Sequence, residues 1–145
     1  MYIESQPGTG ISYKEYMNNY VWFIRFHLPA LLYAALIIIV SSVPNLHTST
    51  PEFPWLDKVA HFTEYALFSI LVFRSFANLS SRMHINYTFL LSLLFILCFA
   101  ILDEFYQRYI PGRSSDVADI LFDLLGSALI LFILWRTAKR RPANS

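Results

Sequence analysis

The chain has 145 residues, of which 56% are hydrophobic and 14% are charged, and its formal net charge is +1. Soluble domains typically carry about 25% charged residues, so this composition indicates an integral membrane protein. The small net charge gives no electrostatic support for a nucleic-acid partner, and the single cysteine, Cys98, cannot form an internal disulfide. At about 20 residues per span, the length allows about four transmembrane helices.

The N-terminal arm, residues 1–25, is polar but rich in aromatic residues. Its segment SYKEYMNNYVWFIRF places tyrosine, tryptophan and phenylalanine at mixed spacings, which favours a helix that lies in the membrane interface. The apolar run that follows starts too late for a cleavable signal peptide and lacks its small-residue cleavage site. We therefore expect an interfacial arm that is retained in the protein.

Four apolar segments follow, and they predict an all-α membrane domain over residues 26–135. The predicted spans are residues 26–43, 57–77, 85–105 and 116–135. Pro29 falls in the first turn of the first span, where proline is tolerated. The second span is not a uniformly apolar transmembrane segment, because it contains His61, Glu64 and Arg74. Residues 136–145 form a basic tail.

The basic residues predict the orientation of this domain, because short cytoplasmic loops are enriched in lysine and arginine. With the N-terminus inside, the outer side holds three of the 11 basic residues, Lys58, Arg108 and Arg113. The inner side holds all the others, which are Lys14, Arg25, Arg74, Arg82, Arg136, Lys139, Arg140 and Arg141. We therefore expect a multi-pass protein with both termini in the cytoplasm.

This topology brings polar faces of three helices to one depth of the membrane, on the outer side. Asp57, His61 and Glu64 share one face of the second span, because residues three and four apart are neighbours on a helix. Asp103 and Gln107 share a face where the third span emerges. The spacing of the acids that begin the fourth span, Asp116, Asp119 and Asp123, also puts them on one face. Ionisable groups within a membrane are costly unless they are paired or wetted, so this cluster is a functional hypothesis.

Two segments carry a resemblance to a known family. They are DKVAHFTEYALFSILV in the second span and LDEFYQRYIPGRSSDVADILFDLLGSAL across the third and fourth spans. In their order and setting they resemble the VanZ-like integral membrane proteins of bacteria, over about residues 25–135. The family pattern has D-K-x-x-H-F-x-x-Y, then D-E-x-x-Q-x-x-x-P-G-R, then an Asp and an Asn-x-x-Gly. Asp123 stands here where that asparagine is usual.

The resemblance implies a location in the bacterial inner membrane and a role in the cell envelope. The founding member is associated with resistance to the glycopeptide teicoplanin, by a route that does not alter the peptidoglycan stem terminus. No reaction or ligand is established for most relatives, so the resemblance implies a family rather than a mechanism.

Several polar residues of the cluster also have structural interpretations. Asp57 suits a helix N-cap, and His61 suits a hydrogen bond between helices. Asp116 would cap the fourth span, with Asp119 in its first turn. Arg113 suits a surface pair with Asp116 as well as a fork for phosphate or carboxylate.

Two further acids, one outside the cluster and one within it, have different interpretations. Glu104 is expected on an exposed face, because it lies about 100° around the helix from Asp103. Asp123 lies two turns into its span, so no capping role explains it. We expect Asp123 to be protonated or paired, with His61 as the candidate partner.

The sequence leaves three functions open. A binding or envelope-modulating protein would recognise a lipid headgroup through the ligand-binding candidates Asp57, His61, Glu64, Asp103, Gln107, Arg113, Asp116, Asp119 and Asp123. An accessory subunit of a larger membrane complex would use the cluster to hold its helices together. An intramembrane hydrolase or transferase would use His61 as a base.

The binding role is favoured over catalysis, because no nucleophile is evident. A serine triad is unsupported, since Ser69 and Ser75 are deep in the span without an evident partner. The residue types also suit a divalent cation, with His61, Asp103, Asp119 and Asp123 as candidate ligands. The expected partners are membrane lipids and other membrane subunits.

Overall fold

The computed structural model describes residues 13–44, 53, 55–79, 83–113 and 115–140, with the side chains of the first helix described from residue 18 onward. These residues form five α-helices. They are α1 (Tyr13–Phe26), α2 (Leu28–Ser41), α3 (Leu56–Ala77), α4 (Ile85–Gln107) and α5 (Val117–Lys139). The last three helices correspond closely to the predicted second, third and fourth spans, and the fold is all-helical as predicted.

The predicted interfacial arm and first span are continuous except at one residue. α1 and α2 meet at His27 with a bend of 41°. Pro29 lies in the first turn of α2, where its ring and missing N–H prevent a straight helix from continuing through the junction. The His27 Nδ1 atom lies 2.7 Å from the Ser75 hydroxyl of α3, so this hydrogen bond fixes the bend against the bundle.

α3 and α5 form the most extensive helix pair, and a glycine sets how closely they pack. A Cβ atom at Gly126 would lie 2.2 Å from the backbone oxygen of Phe62, so no larger residue fits without separating the helices. The next residue, Ser127, donates a hydrogen bond to the Tyr65 carbonyl at 3.1 Å. Small residues allow this close approach in membrane helices.

An apolar core fills the middle of the bundle. Buried side chains from four helices meet there, and they are Ile37, Tyr65, Phe68, Val72, Phe73, Ile96, Ala100 and Leu131. Large apolar residues such as Leu32, Leu94 and Leu125 remain more than half exposed on the outside. An apolar exterior around an apolar core is typical of a helix bundle that faces lipid.

Two helices, α4 and α5, are long and apolar enough to cross a membrane, and α1 with α2 would make a third, bent span. α3 has 22 residues but carries Asp57, Lys58, Glu64 and Arg74. The prediction of four spans is therefore not confirmed and stays a prediction, as does the orientation. Arg82 and Arg141, which contributed to the predicted orientation, lie outside the described residues.

Candidate functional site

One end of the bundle, here called the polar end, holds the predicted cluster. It comprises the C-terminal ends of α2 and α4 and the N-terminal ends of α3 and α5. Five residues of the cluster are buried there, namely His61, Asp103, Gln107, Asp119 and Asp123. Asp57, Glu64 and Arg113 are half-buried, and Asp116 is exposed. The antiparallel helices therefore bring together side chains that are up to 66 residues apart in the chain.

His61 and Asp123 form the deepest pair of this end. The Nδ1 atom of His61 lies 3.0 Å from the Oδ1 atom of Asp123, and both side chains are buried. The close packing around Gly126 places α3 and α5 at the distance that this contact needs. The predicted partnership of Asp123 with His61 is confirmed.

Lys58 connects the two other acids of α5 to α3. Its ammonium lies 2.7 Å from Asp116 Oδ2 and also donates to Asp119 Oδ1. Asp57 lies 3.9 Å from the same ammonium. The Lys58 ammonium and the Ala118 amide hold the pKa of the Asp116 carboxyl below its usual range. A surface pair between Arg113 and Asp116 was one of two interpretations of Arg113; in the structure the Asp116 carboxylate pairs with Lys58.

Glu104 corrects a second expectation. It is only 3% exposed, although its angular position on α4 predicted an outward side chain. Its carboxylate accepts a hydrogen bond from the backbone N–H of Asp116. The segment between α4 and α5 folds back over the last turn of α4, so a second face of that helix is covered. The turn itself has Gly112 at a φ of 76° and a hydrogen bond from the Arg113 amide to the Ile110 carbonyl.

A second polar network joins α4 to α2. Asp103 Oδ2 accepts hydrogen bonds from the Ser41 hydroxyl at 3.0 Å and from Gln107 Nε2 at 3.1 Å. The other carboxylate oxygen, Oδ1, is buried without a hydrogen-bond partner in the described part of the chain. The buried hydroxyl of Tyr65 also has no hydrogen-bond partner among the described residues. Buried polar atoms are usually paired, so these two atoms retain hydrogen-bonding capacity for an additional polar partner.

A cavity of about 50 Å³ lies between the two networks. Its polar lining comprises Ser41, Asp57, His61, Glu64, Gln107 and Arg113. The Arg113 guanidinium reaches α2 from the turn and donates to the Val40 carbonyl at 3.1 Å. Acidic and basic groups thus face the same small space.

The helix starts confirm two capping roles and reject a third. Asp116 is the N-cap of α5, where its Oδ1 atom accepts from the Ala118 amide at 2.9 Å, and Asp119 lies in the first turn. Asp57 is not an N-cap, because α3 begins earlier and Trp55 holds that position. The negative charge of Asp57 still suits the first turn of a helix.

Three residues form the best-placed set for a metal ion. Ligand atoms of Asp57, His61 and Asp119 all lie within 4.8 Å of one another. Of the predicted metal ligands, this set includes His61 and Asp119. Asp123 instead contacts the other nitrogen of His61, and Asp103 lies in the network with Ser41. A carboxylate that orients a histidine ligand from behind is a common arrangement in metal sites.

Sequence reasoning missed three residues of the polar end. Lys58 was counted only for orientation, although it lies between Asp57 and His61 in the motif. Tyr65 was not among the predicted site residues, and its ring packs against Phe68 and Phe99 with ring centroids 6.1 and 6.4 Å apart. Ser41 carried no signal, because a serine at the end of an apolar helix is unremarkable until its partner is known.

The comparisons with known proteins support the family resemblance that the two segments of this site carry. Residues 5–139, nearly the whole chain, match the family model VanZ/LLP1. No curated protein and no solved structure matches the chain. The family match includes every residue of the polar end and both motifs that carry the resemblance. The chain therefore belongs to the VanZ-like family of membrane proteins.

Proposed function

We propose that this protein binds an envelope lipid by its headgroup at the polar end, with an ammonium group in the cavity and a phosphate at Arg113. The observation that supports this proposal is the cavity between Asp57, Glu64 and Arg113, which presents both signs of charge to one space. A zwitterionic headgroup carries one positively charged group and one negatively charged group. Arginine suits the phosphate, because its planar donors bind two oxygens at once.

The balance of charges favours a ligand with a cationic group. The acids of the polar end are Asp57, Glu64, Asp103, Glu104, Asp116, Asp119 and Asp123. The cationic groups near them are Lys58 and Arg113, with His61 as a third when it is protonated. Lys58 contacts Asp57, Asp116 and Asp119, and the side chains of Asp57 and Glu64 line the cavity.

The size of the cavity limits what enters it. One water needs roughly 10–15 Å³ of such space, so about 50 Å³ accommodates a group of a few heavy atoms. An ammonium on a short stem fits this volume, and the remainder of the headgroup would stay at the mouth near Arg113. A trimethylammonium group is larger and lacks N–H donors for the carboxylates.

Native mass spectrometry of the protein extracted gently from its own membrane tests this proposal. We expect retained phosphatidylethanolamine in preference to phosphatidylcholine when both are supplied in mixed micelles. Asp57→Asn and Arg113→Gln should each reduce that preference several-fold. Asp116→Asn is the matched control, because Asp116 does not line the cavity and asparagine preserves the helix cap.

Equal retention of the two lipids by the wild type would overturn the proposed specificity. Unchanged retention in Asp57→Asn and Arg113→Gln would place the lipid elsewhere. A stable mass that contains another polypeptide would instead support the accessory-subunit function. The same samples therefore separate these two classes.

A second candidate function, a metal-assisted hydrolase or transferase, is favoured by the set of Asp57, His61 and Asp119. These residues would hold the ion, whose chemistry is the activation of water. Asp123 would orient His61 from its Nδ1 side. Lys58 competes with an ion for Asp119, which makes this candidate the weaker one.

Elemental analysis of the purified protein tests the second candidate, with zinc, manganese and magnesium supplied separately. The second candidate requires about one bound ion per chain and loss of that ion in His61→Gln. It also requires metal-dependent turnover of an envelope lipid. Less than a tenth of an ion per chain with every metal would reject it.

A role in the response to glycopeptides follows from family membership and is a separate proposal. We expect deletion of the protein to increase teicoplanin sensitivity of the host, and the Asp123→Ala variant to fail to restore resistance. Full restoration by that variant would dissociate the buried pair from the phenotype.

A further inference from the structure

A second candidate site lies at the opposite end of the bundle, here called the basic end, where α1, α2 and α3 meet. The bend at His27 leaves an apolar cavity of about 460 Å³. Its lining includes Trp22 and Phe23 of α1, Ala30 and Ala34 of α2, Phe76 of α3 and Phe95 of α4. Ala30 and Ala34 are four residues apart on one helix face, and their small side chains leave the space open.

A second cavity, of about 490 Å³, shares Trp22 with the lining of the first. It is lined by polar as well as apolar side chains, among them Asn18, Asn19 and Arg25. The lining of the first cavity is thus largely apolar, and the lining of the second adds amide and guanidinium donors. This division matches the two chemical parts of a phospholipid.

Two arginines converge beside these cavities on one aromatic ring. The guanidinium carbon of Arg25 lies 5.4 Å from the ring centroid of Phe26, and that of Arg74 lies 5.2 Å from the same centroid. Both arginines are exposed, and neither forms an ion pair with a described residue. Two like charges at one ring repel each other, so an anion bound between them would stabilise the arrangement.

We propose that the basic end binds an anionic phospholipid. Its acyl chain occupies the apolar cavity, and its phosphate lies within reach of Arg25 and Arg74. The volume of the apolar cavity falls within the range of about 300–1,000 Å³ that is typical of ligand sites. Clustered basic residues beside a membrane attract anionic headgroups. This proposal uses none of the residues of the polar end, so it is independent of the headgroup site proposed there.

Competition between phosphatidylglycerol and phosphatidylcholine in mixed micelles tests the proposal, with retained lipid measured by native mass spectrometry. We expect the wild type to retain one phosphatidylglycerol in preference. In the double variant R25Q/R74Q, the preference for phosphatidylglycerol should fall at least about tenfold. The reason is that each arginine contributes about 1 kcal/mol to the binding of anionic lipid. Arg136→Gln is the matched control, since the guanidinium carbon of Arg136 also lies over a phenylalanine ring, 5.7 Å from the Phe132 centroid. Unlike Phe26, this ring is contacted by one described arginine and not by two.

A second pair of variants tests the acyl-chain compartment. Ala30→Leu fills part of the apolar cavity and should lower retention of phosphatidylglycerol. Ala128→Leu adds the same bulk to a different apolar cleft of about 340 Å³ and should leave retention unchanged. Equal retention of the two lipids by the wild type would overturn the proposal. Equal effects of R25Q/R74Q and Arg136→Gln would also overturn it, because the arginines would then act only as surface charge.

Discussion

The two ends of this bundle handle charge in opposite ways. At the polar end, acids from α4 and α5 are buried and contact partners on other segments, around a cavity of only about 50 Å³. At the basic end, Arg25 and Arg74 remain exposed beside cavities of about 460 and 490 Å³. A buried charge needs partners within the protein, whereas an exposed cation can be satisfied by water or a lipid phosphate. Precise helix packing therefore matters most at the polar end.

The largest effect should come from separating α3 and α5. Gly126→Leu places a side chain against the Phe62 backbone, which cannot yield unless the helices move apart. We expect almost no monodisperse, folded protein after extraction, measured by size-exclusion chromatography and near-UV circular dichroism. Ala128→Leu, two residues along the same helix, faces an open apolar cleft and should fold normally. Normal folding of both variants would show that the close approach is not essential.

The next effect should come from the buried pair. Asp123→Ala leaves His61 without its 3.0 Å partner, and removal of one member of a buried pair costs about 3–5 kcal/mol. We expect a clear fall in the free energy of unfolding, measured by denaturation in mixed micelles. Asp123→Asn keeps a hydrogen-bonding side chain and should cost less. Equal stability of Asp123→Ala and the wild type would mean that the pair contributes nothing to the fold.

A smaller effect is expected at the start of α5. Glu104→Ala removes the acceptor for the Asp116 amide, and loss of a hydrogen bond to a charged group costs about 1.5–3 kcal/mol. We expect faster hydrogen exchange at the Asp116 amide and the first turn of α5, while exchange in the middle of α4 stays unchanged. Glu104→Gln retains an acceptor oxygen and is the control. No change in exchange in either variant would contradict this role of Glu104. It would favour the exposed position that its angular position on α4 predicted.

The smallest effect should come from the exposed contact between Lys58 and Asp116. Lys58 lowers the pKa of Asp116, so this contribution to stability is present above the unfolded pKa of about 3.9. It is lost as the pH falls through the lower, folded pKa. We expect Asp116→Asn to be less stable than the wild type by at most about 1 kcal/mol at pH 7. The difference should vanish in strong acid. A difference that persists or grows in acid would assign the effect to something other than this charge.

The sequence predicted the helices of the membrane domain because apolar runs of about 20 residues are a local signal. α3 and α4 begin within one residue of the predicted spans, and α5 continues four residues beyond its predicted end. The break at His27 was less visible, because Pro29 is compatible both with a helix start and with a bend. The pairing of His61 with Asp123 was also predictable, since both lie at matching depths of neighbouring spans.

The errors concern residues whose surroundings depend on the way distant segments meet. Glu104 was expected outside because a helical wheel shows only the face of one helix. Its burial depends on the turn that folds back from α4 to α5 and presents the Asp116 amide. Lys58 was not among the predicted site residues, yet its ammonium bonds to Asp116 at the start of α5.

The sequence by itself determined the membrane character of the chain, the family and the helix faces that carry polar residues. These properties depend on composition and on a period of about 3.6 residues, both of which are local. Only the tertiary structure decided which acid faces which base, that Ser41 bonds to Asp103, and that the bend at His27 leaves a cavity at the basic end. Those properties depend on the distance and rotation between helices, which the fit of Gly126 against Phe62 helps to set.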